Sequence, residues 1–452
     1  MKKALAANGL FRAIFTLLMG GAVAQLVPLL LGPVLTRLFT PEAFGVFTAF
    51  TTVAATVAVV ACARYEFALP MVRSDTEATT LLALCLRIGL CITLLTLPLA
   101  LALHALGKLP LPGLLPAAVA AAGGLQLLVM WNTWAKRYRA LAMSRVVQYG
   151  GGAVLQVLFG FWLWQRQQQA ASMHDAWALV IAPMVACVLA ALLLLWPAPE
   201  QGWRAVLPPA PAAWAAELKQ RMRQAMHTYR DFPLLNTPHA FLGTAQDALA
   251  VALLVAWQGD AAAGFWGLAL RYLKAPATLV GSAVSQALYP RLAAAQPDEA
   301  RRMVRQAMLL LAAVAAPMVL VLLVAGPWLF ARIFGPGWRE AGELARALAP
   351  YIGVHFVAAP LAVVTMAWQA QRWAFRWALV GQVAFVAALG LGLRVGGLIM
   401  GAWAVSAAMT MYFGIYFWRL AFWQDIPAHT VQTSTAPAQP SQPELFKGDS
   451  NP

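Results

Sequence analysis

Charge is scarce in this sequence. Of its 452 residues, 11% are charged and 61% apolar, where an ordinary soluble domain has about 25% charged and 45–50% apolar residues. A soluble fold with so little charge could not cover its surface. Cysteine is as sparse. Cys62, Cys85, Cys91 and Cys187 all lie inside apolar runs, without metal-ligand spacing or a disulfide-framework pattern. They read as packing residues. A Gly-x-x-x-x-Gly-Lys-Ser/Thr phosphate loop is missing, because Gly107-Lys108 has Ala102 where the first glycine belongs. The six histidines are scattered, and no Ser/His/Asp grouping is visible. These absences exclude ATP hydrolysis by the chain itself and give no sign of an enzyme, a cofactor or a metal site. Any energy source must be an ion gradient, the membrane potential or removal of product.

What is present is hydrophobic length. A bilayer-spanning helix needs about 20 mostly apolar residues. Twelve such runs are read, at roughly 13–38, 43–69, 79–104, 113–135, 145–164, 176–196, 232–257, 264–289, 306–332, 343–368, 374–394 and 397–418. The expected fold is an all-α polytopic membrane protein. Lys2 and Lys3 before an apolar stretch ending at Ala22-Val-Ala24 resemble a cleavable signal. The run continues through Leu35, however, so an uncleaved first span is expected. The net charge of +15 does not indicate nucleic acid, because the basic residues sit between apolar runs rather than on one polar face. With the N-terminus inside, 22 Lys and Arg fall in inner segments, 7 in outer ones and 3 within spans. This bias puts both termini on the cytoplasmic side. Trp131, Trp134, Trp196, Trp257 and Trp368 stand near span ends as interfacial anchors.

The organisation is bipartite. Residues 1–200 form one six-helix bundle and 232–420 a second, joined by a cytoplasmic linker at 201–231. The tail from 421 to 452, rich in Pro, Gln, Ser and Thr, is expected to be disordered. No outer loop exceeds roughly a dozen residues, which argues against a glycosyltransferase, ligase or polymerase with a catalytic domain outside. Thr40-Pro-Glu-Ala-Phe-Gly45 and Gly259-Asp-Ala-Ala-Ala-Gly264 occupy equivalent places in the two halves, 219 positions apart. Parallel repeats related by an axis along the membrane normal follow, with a site between them.

Ionisable groups inside spans are costly and usually face a cavity or a partner. Arg271, Lys274, Thr278, Ser282, Ser285 and Tyr289 recur at three- or four-residue spacing, on one face of span eight. They suit an anionic, hydroxyl-rich ligand; the competing reading is interhelical hydrogen bonding with Lys274 reaching for water. In span seven, Asn236, Ala240, Gly243 and Asp247 share a face. Asp247 is read either as a cavity carboxylate or ion site, or as the structural partner of Arg271. Gly21, Gln25, Pro28, Gly32 and Thr36 form a small and polar stripe in span one, ending near Arg37, and suit either a gate or close helix packing. Arg64-Tyr65-Glu66 is a locally neutralised pair or a cavity site. Arg87 is a cavity cation or a residue reaching for the inner interface. Lys136-Arg-Tyr-Arg139 reads as an anchor for lipid headgroups.

Ala24-Gln-Leu-Val-Pro28, then Gly32-Pro-Val-Leu-Thr-Arg-Leu-Phe-Thr-Pro-Glu-Ala-Phe-Gly45 and Ala63-Arg-Tyr-Glu-Phe-Ala-Leu69, resemble the start of the Wzx-like O-antigen/oligosaccharide-lipid flippases of the MOP superfamily. Ala142-Met-Ser-Arg-Val-Val-Gln148, Val284-Ser-Gln-Ala-Leu-Tyr-Pro-Arg-Leu292 and Phe334-Gly-Pro-Gly-Trp338 fit the same pattern, over roughly residues 10–420. The resemblance implies a MATE-like fold of two six-helix bundles around a V-shaped cavity with alternating access. It implies transfer of a polyprenyl-pyrophosphate-linked oligosaccharide across the bacterial inner membrane for surface polysaccharide synthesis. The implied partners are that lipid-linked glycan, membrane lipids, and a polysaccharide polymerase with other export machinery. Arg271 matches the cationic-cavity tendency of such proteins, with Arg37, Arg64 and Arg87 as weaker matches. The sequence names no coupling ion; Asp247 and Glu66 are the carboxylates that a coupling proton would use. A cation-coupled drug or metabolite antiporter of the same fold is the alternative.

Overall fold

The computed structural model of the chain describes residues 24–106, 111–167, 169–195 and 212–424. The expectations for the stretch before Ala24, the proline-rich part of the linker and the C-terminal tail lie outside the described residues. Thirteen helices follow in order: α1 (Ala24–Leu38), α2 (Pro41–Ala58), α3 (Asp75–Ala105), α4 (Leu115–Trp134), α5 (Tyr138–Gln167), α6 (Trp177–Leu195) and α7 (Ala212–Thr228). Next come α8 (Phe232–Gln258), α9 (Asp260–Ala294), α10 (Pro297–Phe334) and α11 (Arg339–Ala367). The last helical stretch, Gln371–Ala421, leaves helical geometry at Gly396 and Gly397, the latter at φ 72°. It therefore has two limbs, α12 (371–395) and α13 (398–421). At 1.5 Å per residue its 51 residues would run to about 76 Å if straight, over twice a bilayer core.

Nine described helices are long and apolar enough to cross a membrane. The chain is a multi-pass helical membrane protein; of the helices above, α1 is shorter than a span, α9 is not among the nine, and α12 with α13 counts as one of them. Local chemistry sets several boundaries. Thr40 caps α2, its hydroxyl accepting from the Ala43 N–H at 3.4 Å, and Pro41 stands where a missing N–H does no harm. Ser74 caps α3 by accepting from the Glu77 N–H at 3.3 Å. Gly259 (φ 84°) and Gly335 (φ 107°) make turns that a side chain would strain.

Two expectations about extent are corrected. The apolar pattern predicts a second span from 43 to 69, but α2 ends at Ala58. The chain then turns through Ala63 and Arg64, both at positive φ, into a 3-10 turn over Tyr65–Met71. Tertiary packing overrides the continuous apolar pattern here, burying Tyr65, Ala68 and Leu69 against α3, α4 and α7. The linker, read only as a connection, contains the amphipathic helix α7. Its Met222 and Ala225 are buried against the end of the first bundle formed by α3, α4 and the Tyr65–Met71 turn. The Tyr229 hydroxyl just beyond it donates to Glu77 at 2.8 Å.

At the end assigned outside by the charge bias, one core unites both halves, with Phe39, Phe44, Phe265, Phe334 and Trp338 all buried. The Trp338 indole donates to the Thr36 carbonyl at 2.9 Å and lies edge-on to Phe44 and Phe265. The two repeated hexapeptides meet here. A side chain on Gly45 would strike the Asp260 carbonyl, and one on Gly264 would strike the Pro41 carbonyl. Pro41 pairs with Asp260, and Gly45 with Gly264, by the same 219-position offset. The contact is therefore reciprocal about a pseudo-twofold axis. Small residues let two backbones approach in a bilayer, where water supplies no hydrophobic drive between helices.

Proline leaves carbonyls without their helical donors, and side chains supply replacements. Pro33 frees the Leu29 carbonyl, which accepts from the Tyr272 hydroxyl at 2.6 Å. Gly32 makes room for that ring. Pro183 frees the Leu179 carbonyl, which accepts from the buried Gln156 amide at 2.9 Å.

Candidate functional site

Beneath the closed end lies a cavity of about 560 Å³, walled by α1, α2, α5 and α6 from the first half and by α8 and α9 from the second. Its lining runs from Gly267 and Thr48, in contact with each other, to the exposed Gln25, Tyr149 and Thr278. The wall of α9 is cationic. Arg271 and Lys274 face the cavity one turn apart, with Thr278 a turn further. Helical spacing brings the three together, as the sequence stripe requires. Arg271 donates one long hydrogen bond, 3.4 Å, to the Pro28 carbonyl of α1. Thr278 donates to Ala275 of its own turn at 2.8 Å and lies 3.5 Å from Gln25 Oε1. Asp247 of α8 lines the same cavity. No salt bridge joins Asp247 to Arg271, so the two share a cavity without pairing.

The structure therefore gathers Gln25, Asp247, Arg271, Lys274 and Thr278 in one place. Ser282 lies one turn beyond the lining, exposed, with its hydroxyl on the Leu279 carbonyl at 3.1 Å. Ser285 leaves the stripe for a structural bond of 3.1 Å to the Pro360 carbonyl. The other singled-out charges stand elsewhere. Arg37 is exposed beside the closed end. Arg64 stacks over Phe67 at 4.5 Å in the turn after α2. Glu66, 3% exposed, is buried in that turn with Oε2 unpartnered. Arg87 reaches the Met222 sulfur of α7 at 3.3 Å.

The first half contributes polar groups that were not singled out: Thr48, Thr52, Gln148 and Tyr149. Thr48 and Thr52 share an i, i+4 face and could have been read from it. Gln148 and Tyr149 belong to a π-helical segment, Val146–Gly151, whose wider turn breaks the 3.6-residue register on which sequence patterns rest.

The fold is multi-pass and helical, and the cavity between its halves has a mainly apolar lining into which Arg271, Lys274 and Asp247 bring charge. A family model described as polysaccharide biosynthesis protein matches residues 34–343, so the chain belongs to the polysaccharide biosynthesis protein family. No curated protein matches the chain. Among solved structures it is similar to the lipid II flippase MurJ in its inward closed conformation, with TM-score 0.62, 10% identity and 89% of each chain covered. It is also similar to a mutant of the Vibrio cholerae MATE transporter VcmN, with TM-score 0.55, 16% identity, and 92% of this chain and 96% of that one covered. An outward-facing MATE family multidrug transporter of the MOP superfamily matches with TM-score 0.54, 12% identity, and 90% and 94% coverage. At these identities the likenesses show the fold, and they bear out the MATE-like helical fold expected from the sequence.

Proposed function

We propose that the protein moves a polyprenyl-pyrophosphate-linked oligosaccharide from the inner to the outer leaflet of the bacterial inner membrane by alternating access. The single observation that carries this reading is the pairing of Arg271 and Lys274 on one wall of an interbundle cavity. A pyrophosphate needs converging cations, and guanidinium pairs bidentately with phosphate oxygens. The hydroxyl and amide groups of Thr278 and Gln25 suit a glycan, and the long lipid can stay in the bilayer. The family match to polysaccharide biosynthesis supports the substrate class. Two cations against the one carboxylate of Asp247 disfavour the alternative, a cation-coupled antiporter for drugs or metabolites, because a cationic drug would meet net positive charge. Asp247 remains the cavity group suited to a coupling proton.

The test is reconstitution. In sealed proteoliposomes, lipid-linked oligosaccharide loaded on one leaflet should become accessible to an impermeant glycosidase on the other, without ATP. A requirement for ATP hydrolysis by the purified protein, or transfer of a cationic drug with none of the lipid-linked glycan, overturns the reading.

A further inference from the structure

The cavity is chemically lopsided. Its cations come from α9 of the second half. The first half offers the π-helical segment of α5, where the regular ladder is interrupted and Gln148 and Tyr149 both line the space. Tyr149 is an exposed large aromatic, 46% accessible. Gln148 makes one weak contact, 3.8 Å to the Cys187 sulfur, so most of its donors and acceptors remain unused. Gln156, two turns along the same helix, is by contrast consumed by the Leu179 carbonyl. An aromatic face and a free amide side by side suit a pyranose ring: its C–H face packs on the aromatic ring, and its hydroxyls pair with an amide that both donates and accepts. π-Segments inside α-helices recur at functional sites. No positive charge on this wall competes for the phosphate.

We propose that the Val146–Gly151 segment reads the sugar. Tyr149 stacks on the sugar nearest the pyrophosphate, Gln148 hydrogen-bonds its hydroxyls, and Arg271 with Lys274 holds the pyrophosphate from the other half. The two halves thus divide the ligand: the second binds what all such lipids share, and the first binds what distinguishes them. This rests on the substrate class proposed above, and the experiment separates the two. Full-length protein in lipid nanodiscs is titrated with two probes. One is undecaprenyl pyrophosphate, and the other is the lipid-linked oligosaccharide pool extracted from the protein's own host membranes.

Tyr149→Ala and Gln148→Ala should each weaken binding of the glycosylated lipid by about 3- to 10-fold, from a lost stacking or hydrogen-bonding contact. Undecaprenyl pyrophosphate should bind as before. Tyr149→Phe, which keeps the ring, should retain most of the affinity. Arg271→Ala should weaken both probes. Equal loss of both probes in Tyr149→Ala and Gln148→Ala, or loss of neither, overturns the sugar-reading role while leaving the substrate class standing. Failure of the unaltered protein to bind either probe overturns both.

Discussion

The reciprocal glycine contact makes a prediction about conformational balance. A Cβ on Gly264 would overlap the Pro41 carbonyl and stand 3.0 Å from the Gly45 nitrogen; one on Gly45 would overlap the Asp260 carbonyl. Ordinary contact begins near 3.4 Å, and both obstacles are backbone, which no rotamer change can move. α2 and α9 must therefore separate. Overpacking of this kind costs about 1–3 kcal/mol, and the strain falls on the state in which this end is closed. Gly264→Ala should shift the equilibrium toward the state open at this end by about 5- to 150-fold. Adding Gly45→Ala should give less than an additive increment, because the two residues touch the same contact.

The measurement is the rate at which an impermeant maleimide, added from the closed side, labels Thr48→Cys in a background lacking Cys62, Cys85, Cys91 and Cys187. Thr48 lines the cavity just beneath the contact. At Gly414 a Cβ would meet nothing within 4 Å, so Gly414→Ala is the control and should leave the rate unchanged. Normal labelling and normal transport in the Gly45→Ala, Gly264→Ala double variant would refute the assignment of this contact as a closure that must open.

Four further expectations follow from single observations. Arg271→Ala should abolish surface glycan with protein abundance near normal, and Arg271→Lys should keep partial activity, having charge without the planar fork; rescue of export by adding Asp247→Ala would mean that Arg271 serves only to balance Asp247. Tyr272→Phe leaves the proline-freed Leu29 carbonyl without its 2.6 Å donor, and should lower thermal stability by about 1–3 kcal/mol, read by heating the purified protein in detergent. Burial, and then the neighbouring Glu42, raise the Asp260 carboxyl above its ordinary 3.8 in the first turn of α9; closure then favours the protonated form, so the rate of Thr48→Cys labelling divided by the rate in the Asp260→Asn variant, which cancels the thiol's own pH dependence, should rise as pH increases through that raised value. Gln258→Cys should label from the outside and Glu299→Cys from the inside; the reverse pattern would invert the orientation drawn from the charge bias.

Much of this architecture was legible because a bilayer imposes one length on every crossing segment, and apolar runs report that length directly. The stripe on α9 was legible for a similar reason. A regular helix puts Arg271, Lys274 and Thr278 on one face whatever surrounds it. Legibility ended where the helix did. Ala63 and Arg64 adopt left-handed geometry without glycine to announce it, so an apolar run through Leu69 read as one span, and Arg64 and Glu66 seemed nearer the cavity than they are. Tyr149 and Gln148 were hidden by the π-turn, which moves side chains off the expected face. Helix α7 left a signal that was available: Leu218, Met222, Ala225 and Tyr229 recur at helical spacing among good helix formers.

The bonds between the halves differ in what opening would do to them. At the glycine contact the touching carbonyls of Pro41 and Asp260 open their own helices, where residues four positions on, Gly45 and Gly264, supply the helical N–H donors. Separation there leaves no backbone group unsatisfied, so the closure can be close and still reversible. The bond from Tyr272 to Leu29 joins α9 to α1 and has no such substitute, so rearrangement of that pair needs water or ligand at the freed carbonyl. Arg271 spans the same two helices through a bond of 3.4 Å to Pro28, well beyond the 2.7–2.9 Å of a strong charge-assisted pair. A pyrophosphate oxygen would outcompete that carbonyl. Under the proposed mechanism, binding itself then draws Arg271 from α1 and loosens one of the ties between the halves, which couples ligand capture to the change of state.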